Sequence, residues 1–329
     1  MERRRTFGSV ALAVAALACA AGTVAAAVSA APVTSVAIFY YAWYGTPARD
    51  GAWQHWQQGG TTPPARLGSN FYPARGPYSS TDPTVLGAHM TEIRALGVDS
   101  VIVSWWGPGS VEDVRLPLVA RAAGRAGLGV AVHVEPWPGR TPAAVAATVP
   151  ALAALGVRDL YVYASALSPD TEWAAALEPV TSARIFANTW LPRKAVRGGF
   201  DGLYPYDVVV YPPESFARVC NAARKLGLAC APSVGPGFDA RVATSLVTVS
   251  DRREGRRYDH AWSAALRARP DVVTITSYNE WHEGTQIEAA SVHLGSVSYD
   301  GAWGLRGVKA QTAYLDRTAH WIAKLRAAR

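Results

Sequence analysis

Glu280 and Glu283 stand three residues apart in the stretch TITSYNEWHEGTQIE, Thr274 to Glu288, with Trp281 and His282 between them. Two carboxyls that close, beside an aromatic, suit the hydrolysis of a sugar acetal. One donates a proton to the leaving oxygen and the other acts on the opposite side of the bond. A salt-bridged loop is the plainer reading of two glutamates. Against it, Asn279, Glu280, Trp281, His282, Glu283, Gln286 and Glu288 crowd ten residues that include no Lys or Arg. The preceding run, Asp271 to Thr276, is apolar and β-branched and reads as a strand, so both acids sit at a strand's C-terminal end.

Seven other apolar runs precede it: 35–40, 98–104, 128–134, 157–163, 183–188, 201–210 and 227–233. Most are followed by a helical stretch, such as the one with Leu86, Met90 and Ile93 on one face. Asp82-Pro83 and Thr141-Pro142 read as caps with proline at the first helical position. The fifth helix is poorly marked, and the sixth strand could lie at either end of its window. Eight strand–helix alternations predict an α/β fold, a single (β/α)8 barrel over 31–329. A doubly wound open sheet shares the alternation, but no Gly-rich dinucleotide loop supports it. In a barrel the site lies at the strands' C-terminal ends. Those ends carry Tyr40 to Tyr44, Trp105-Trp106, His133, Glu135 and Trp137, Trp190, Tyr204 and Tyr206, then the two acids. Aromatic rings clustered there offer flat faces to sugars, although some must be ordinary core. Trp105 and Trp106 cannot both point into the barrel, because strand side chains alternate. The connection from Tyr41 to Pro83 is too aromatic for disorder and is expected to fold over the cleft.

The chain has 329 residues, 50% hydrophobic and 17% charged, enough for one such barrel. Residues 1–30 have a basic head and an Ala/Val/Leu run ending at Val28-Ser29-Ala30, the pattern of a secretory signal cut after Ala30. Arg4-Arg5-Thr6-Phe7 resembles a twin-arginine signal, and an uncleaved anchor is the rival reading. Cys19 sits one place off a lipoprotein box. Removing the leader lowers the formal charge from +7 to +5. The basic residues are scattered, so no nucleic-acid or membrane partner is expected, and a secreted monomer is. Cys220 and Cys230 could pair in an oxidising compartment or remain buried thiols.

Taken together, YYAWYG (40–45), HW (55–56), GPYSSTDP (76–83), GVDSVIVSWWG (97–107), VEPWPGR (134–140), GFDGLYPY (199–206), PSVGPGF (232–238) and SYNEWHEGTQIE (277–288) resemble glycoside hydrolase family 99, the endo-α-1,2-mannosidases and endo-α-1,2-mannanases. The resemblance implies a retaining (β/α)8 enzyme with no cofactor or metal, acting on an α-mannoside glycan. It makes Glu283 the acid/base. Glu280 would take the proton of the substrate's 2-hydroxyl, which closes onto C1 as a 1,2-anhydro sugar; direct attack by Glu280 is the alternative. Glu135 falls on the family's EPY-type motif, near the 2-hydroxyl, with Trp137 in place of tyrosine. An ion pair with Arg140 is the structural alternative for Glu135. Tyr206, Trp106, Tyr41 and His55 match cleft positions, and His282 and Asn279 are expected to bind or orient substrate. Two segments depart from the family, Ala164 to Leu167 and Asp239 to Ser245, which leaves the glycan open. Two rival readings are a metal-dependent hydrolase using His133, Glu135, His282 and Glu283, and a non-catalytic glycan-binding barrel.

Overall fold

The computed structural model describes residues 34–328, so the leader over residues 1–30 lies outside the described residues. Eight parallel strands follow in chain order: β1 Ser35–Tyr40, β2 Ser100–Trp105, β3 Gly129–Val134, β4 Val157–Val162, β5 Arg184–Ala187, β6 Gly202–Leu203, β7 and β8 Val272–Ile275. The seventh strand is two short pieces, Ala229–Cys230 and Ser233–Val234. The first piece pairs with β6 and the second with β8, while β8 pairs with β1. The sheet therefore closes into a barrel through β7. Pro232 lies between the two pieces and has no N–H to give the ladder, which accounts for the break.

Helices follow the strands as the alternation predicts: Pro83–Ala95, Val111–Arg125, Pro142–Ala154, Asp170–Leu177, Pro192–Arg197, Phe216–Arg224, Arg256–Ala268 and Ala313–Ala327. Asp82 caps the first by accepting from the Thr84 amide, and Thr141 caps the third through Ala144. The poorly marked fifth helix is only six residues long. β6 occupies the N-terminal end of its window. Among the described residues no helix is long and apolar enough to cross a membrane. Cys220 and Cys230, left open by sequence, are joined in a disulfide.

Side chains alternate along β1, and this sets the floor of the site. Phe39 points inward onto His133, Tyr204 and Tyr206, with ring centroids 4.8, 6.3 and 4.7 Å away. Tyr40 points outward, its hydroxyl 3.0 Å from His89 of the first helix. The long connection after β1 is ordered against the β8 side. Trp56 donates its indole N–H to the Tyr78 carbonyl, Ser69 donates to the Trp281 carbonyl, and Tyr72–Pro73 pairs with Ala290–Ser291. It forms a wall of the mouth, with Trp43 and His55 at its inner edge.

Candidate active site

The acids are held by a turn that closes on itself. After β8, Tyr278 donates its amide to the Phe39 carbonyl, anchoring the chain to β1. Ser277 and Thr285 bond through backbone and hydroxyls, and Ile287 donates back to Ser277, so residues 277–287 form a closed loop. A single helical turn, Trp281–Glu283, carries the second acid, and Gly284 ends it at φ 63°. A side chain at Gly284 would strain that backbone and crowd Asp239, 3.1 Å from where its Cβ would sit. Arg252 fastens the outside of the turn by donating to the carbonyls of Gly284 and Gln286 at 2.9 and 2.7 Å.

Glu280 is 4% exposed. Its carboxylate accepts from the Tyr206 hydroxyl at 3.1 Å and the Thr285 hydroxyl at 3.4 Å. Tyr206 in turn lies 2.5 Å from the Tyr41 hydroxyl. Burial first, and then the charge of Glu280, keep both tyrosines protonated and hence donors. Among the described residues no such donor reaches Glu283. Burial pushes its carboxyl up to about 8, and the charges of Asp207 and Glu135 add to that. Burial and the Glu283 charge raise Glu280 as well, while the tyrosine hydrogen bonds oppose the rise. Two acids this close titrate as a pair and do not lose both protons readily. The hydroxyl donors aim at Glu280 and favour its ionised form against the burial that raises it.

Glu135, at the end of β3, accepts from the Ser104 hydroxyl at 2.9 Å and lies 3.0 Å from His133 Nδ1. His133 Nε2 is 3.1 Å from the Tyr204 hydroxyl. The alternative ion pair of Glu135 with Arg140 does not form. Arg140 donates instead to the carbonyls of Val134, Tyr163 and Ala164, tying together the ends of β3 and β4. His282 stacks at a tilt on Trp43, and its Nε2 lies 4.0 Å from Glu280. His55 lies flat on the other part of this aromatic group, 4.4 Å from Trp43. Burial lowers His282 to about 3 and His55 to about 4, so both rings are neutral beside the acids.

Trp105 is buried, with its indole on Asp113, whereas Trp106 is 38% exposed at the mouth, as alternation requires. Asn279 differs from expectation. It is fully buried, and its amide clamps the Tyr41 backbone through both N–H and C=O, so it braces the site instead of facing a ligand. Glu288 lies deeper still, accepting from Tyr78 and Trp281 at 2.7 and 2.9 Å, with His89 3.1 Å away. The four-residue metal set is not brought together among the described residues; His133 and Glu135 pair with each other apart from His282 and Glu283. Among the described residues, Glu280, His282 and Glu283 bring ligating atoms within 4.8 Å of one another. One zinc ion holds its ligands only ~3.3 Å apart, so that group would have to contract to bind one.

Sequence reasoning passed over Ser104, Thr285, Arg252 and Asp207. Ser104 and Asp207 could have been found as polar residues at strand ends. Arg252 could not, since its partners are carbonyls brought near only by the fold. A cavity of about 430 Å³ lined by Trp43, Gln54, His55, Gln57, Gln58, Val111 and Glu112 continues the site on the side of the first connection.

The profile described as "Glycosyl hydrolase family 99" matches residues 33–327. A "Glycoprotein endo-alpha-1,2-mannosidase" of Xenopus laevis is 34% identical over 319 residues, covering 79% of this chain and 70% of the relative. A human "Glycoprotein endo-alpha-1,2-mannosidase-like protein" is 31% identical, with 79% and 71% coverage. The solved "GH99 endo-alpha-mannosidase from Bacteroides thetaiotaomicron" superposes with a TM-score of 0.80 at 27% identity, covering 89% of this chain and 98% of its own.

Proposed function

The chain belongs to glycosyl hydrolase family 99 and is a glycoside hydrolase, and on that premise we propose that it is a secreted, retaining, endo-acting α-mannosidase that cuts internal α-1,2-mannosidic bonds of mannose-rich glycans or α-mannan. The relatives' α-mannosidase activity supports the substrate class. One observation carries the mechanism: the two acids are unequal, Glu280 supplied with hydroxyl donors and Glu283 kept protonated by burial.

In the first step Glu283 gives its proton to the departing glycosidic oxygen. Glu280 takes the proton of the reacting sugar's 2-hydroxyl, and O2 closes onto C1 as the C1–oxygen bond breaks. In an α-mannoside O2 and the leaving group are both axial and anti, so O2 attacks from behind. Water then opens the anhydro sugar, losing a proton to Glu283 while O2 recovers one from Glu280. The acid oxygens within 4.8 Å resemble the ~5–5.5 Å spacing of retaining sites more than the ~6.5–9.5 Å of inverting ones. Glu135, fixed by Ser104 and His133, is a third carboxylate whose charge bears on both acids.

Incubating the protein with an α-1,2-mannan and with α-1,3-glucosyl-α-1,2-mannosides, followed by product sizing, tests the substrate. Internal fragments with retained anomeric configuration are expected; absence of turnover on both would defeat the reading. Mass spectrometry after treatment with 2-fluoro-mannosyl fluoride tests the mechanism, and a stable ester on Glu280 would falsify the anhydro route. The Cys220–Cys230 bond is consistent with an oxidising destination. Recovery from culture medium with an N-terminus after Ala30 is the expected result for secretion, and elution at monomer size for the oligomeric state.

A further inference from the structure

Immediately after Tyr206, the last residue of the GFDGLYPY match, the chain makes a tight turn in which Tyr211 donates its amide to the Asp207 carbonyl at 2.9 Å. The turn is pinned from behind. Arg257 donates to the Val208 carbonyl at 3.1 Å, and the Val208 side chain fills the space over Gly235, where a Cβ would come within 2.5 Å. Asp207, between Tyr206, whose hydroxyl bonds Glu280, and Val208, packed toward β7, is half-buried. No hydrogen bond or ion pair among the described residues engages that carboxylate. Its charge is the largest acting on Tyr163 and on Glu283, and it also bears on Tyr211 and Tyr204. The carboxylate is therefore within electrostatic reach of Glu283, on the chain segment that follows Tyr206, with no donor on it among the described residues.

The same turn places an aromatic platform next to it. The Tyr211 ring lies 5.5 Å from Trp190 at the end of β5, and Arg218 lies 6.0 Å over the Trp190 face. Tyr163 packs 5.5 Å from Tyr206. These residues come from β4, β5 and β6, across the barrel from the β1 wall that holds Trp43 and His55. A glycan lying over the acids thus meets aromatic rings at both ends. An unpaired, partly desolvated carboxylate is unfavourable unless donors arrive, and a sugar's vicinal hydroxyls are such donors.

We propose that Asp207, with the Trp190–Tyr211 ring pair, forms a binding subsite for the departing part of the glycan, in which the carboxylate accepts two hydroxyls of the sugar attached to the broken bond and the rings support the sugar beyond it. The ligand class is a neutral hexopyranose chain. The inference rests on the glycosidase reading above and deepens it.

The test compares two substrates that both need Glu283. One is an α-1,2-linked manno-oligosaccharide. The other is a trifluoroethyl glycoside of the same donor sugars, whose leaving oxygen is about as acidic as a sugar hydroxyl but carries no ring. Asp207→Asn should lower kcat/KM on the oligosaccharide roughly 10–100-fold, the loss expected when charge-assisted bonds become neutral. On the trifluoroethyl glycoside the loss should be smaller, so that the ratio of the two kcat/KM values falls by roughly 10-fold or more; a loss common to both substrates reports the charge of Asp207 on Glu283. Trp190→Ala, on the rim, should cost roughly 3–10-fold only where two or more sugars depart, in line with ring stacking. Equal losses on both substrates would mean that Asp207 acts through Glu283, and no loss on either would mean that it touches no substrate; each overturns the inference while the glycosidase reading stands. A wild-type enzyme inactive on α-mannosides overturns that reading and the inference with it.

Discussion

Glu283 and Glu288 are five residues apart, the first half-buried and the second fully buried, and a histidine lies close to each. Their surroundings put them to opposite uses. Tyr78 and Trp281 donate to one oxygen of Glu288, and His89 Nε2 lies 3.1 Å from the other. His89 continues to Tyr40, so the network ties the first helix, β1 and the acid-bearing loop together. Glu283 is half-buried, accepts no hydrogen bond among the described residues, and is raised to about 8 by desolvation and by the charges of Asp207 and Glu135. A satisfied buried carboxylate braces the fold. An unsatisfied one is a proton donor in waiting.

The sharpest way to break this contrast is to neutralise the two residues separately. Glu283→Gln should fold normally and lose ~10²–10⁴-fold in turnover on natural glycan, with part of the first step restored by an activated leaving group. Equal losses on natural and activated substrates at that step would reassign the acid. Glu288→Ala should act on the fold, removing about 3–5 kcal/mol of stability in a urea titration because His89, Tyr78 and Trp281 lose their buried acceptor. Combined with His89→Ala, the two losses should be less than additive, and simple additivity would deny the network.

Tyr206→Phe probes how far the hydroxyl donors favour the ionised form of Glu280. It removes a hydroxyl donor worth ~1.5–3 kcal/mol to an ionised acceptor, so kcat/KM should fall ~10–100-fold with little change in Tm. An unchanged rate would show that the pair's charge does not depend on that donor.

Acidity gives the finest test. In the proposed mechanism Glu283 starts protonated, so kcat/KM should decline as pH rises through about 8. Glu280 must be ionised and is itself raised, so activity should also fall on acidification. For stability, a carboxyl whose folded pKa is raised favours the folded state at low pH and opposes it once the unfolded chain has ionised. Wild-type stability from this group therefore falls as pH climbs from near 4.5 toward 8. Glu283→Gln, which cannot ionise, should exceed wild type in Tm by roughly 2 °C or more near pH 8, and the gap should shrink toward pH 5. A gap independent of pH would remove Glu283 as its source.

What the sequence determined alone follows from short-range rules. Period-2 apolar runs and capped, period-3.6 segments depend on neighbours within a few residues, so eight strand–helix units, the Asp82 and Thr141 caps and the acids' place at a strand end were all readable. β6 was blurred because only two of its residues enter the ladder, and the fifth helix because it is six residues long. Tertiary structure decided everything that depends on what surrounds a side chain. Local sequence offers Glu280, Glu283 and Glu288 as equals; only the closed barrel brings Tyr206 to the first, Asp207 to the second and His89 to the third. It likewise turned Asn279 into a brace for Tyr41, gave Glu135 to Ser104 and His133 instead of Arg140, and joined Cys220 to Cys230. Desolvation and hydrogen-bond supply come from residues tens to hundreds of positions away, and no local pattern encodes them.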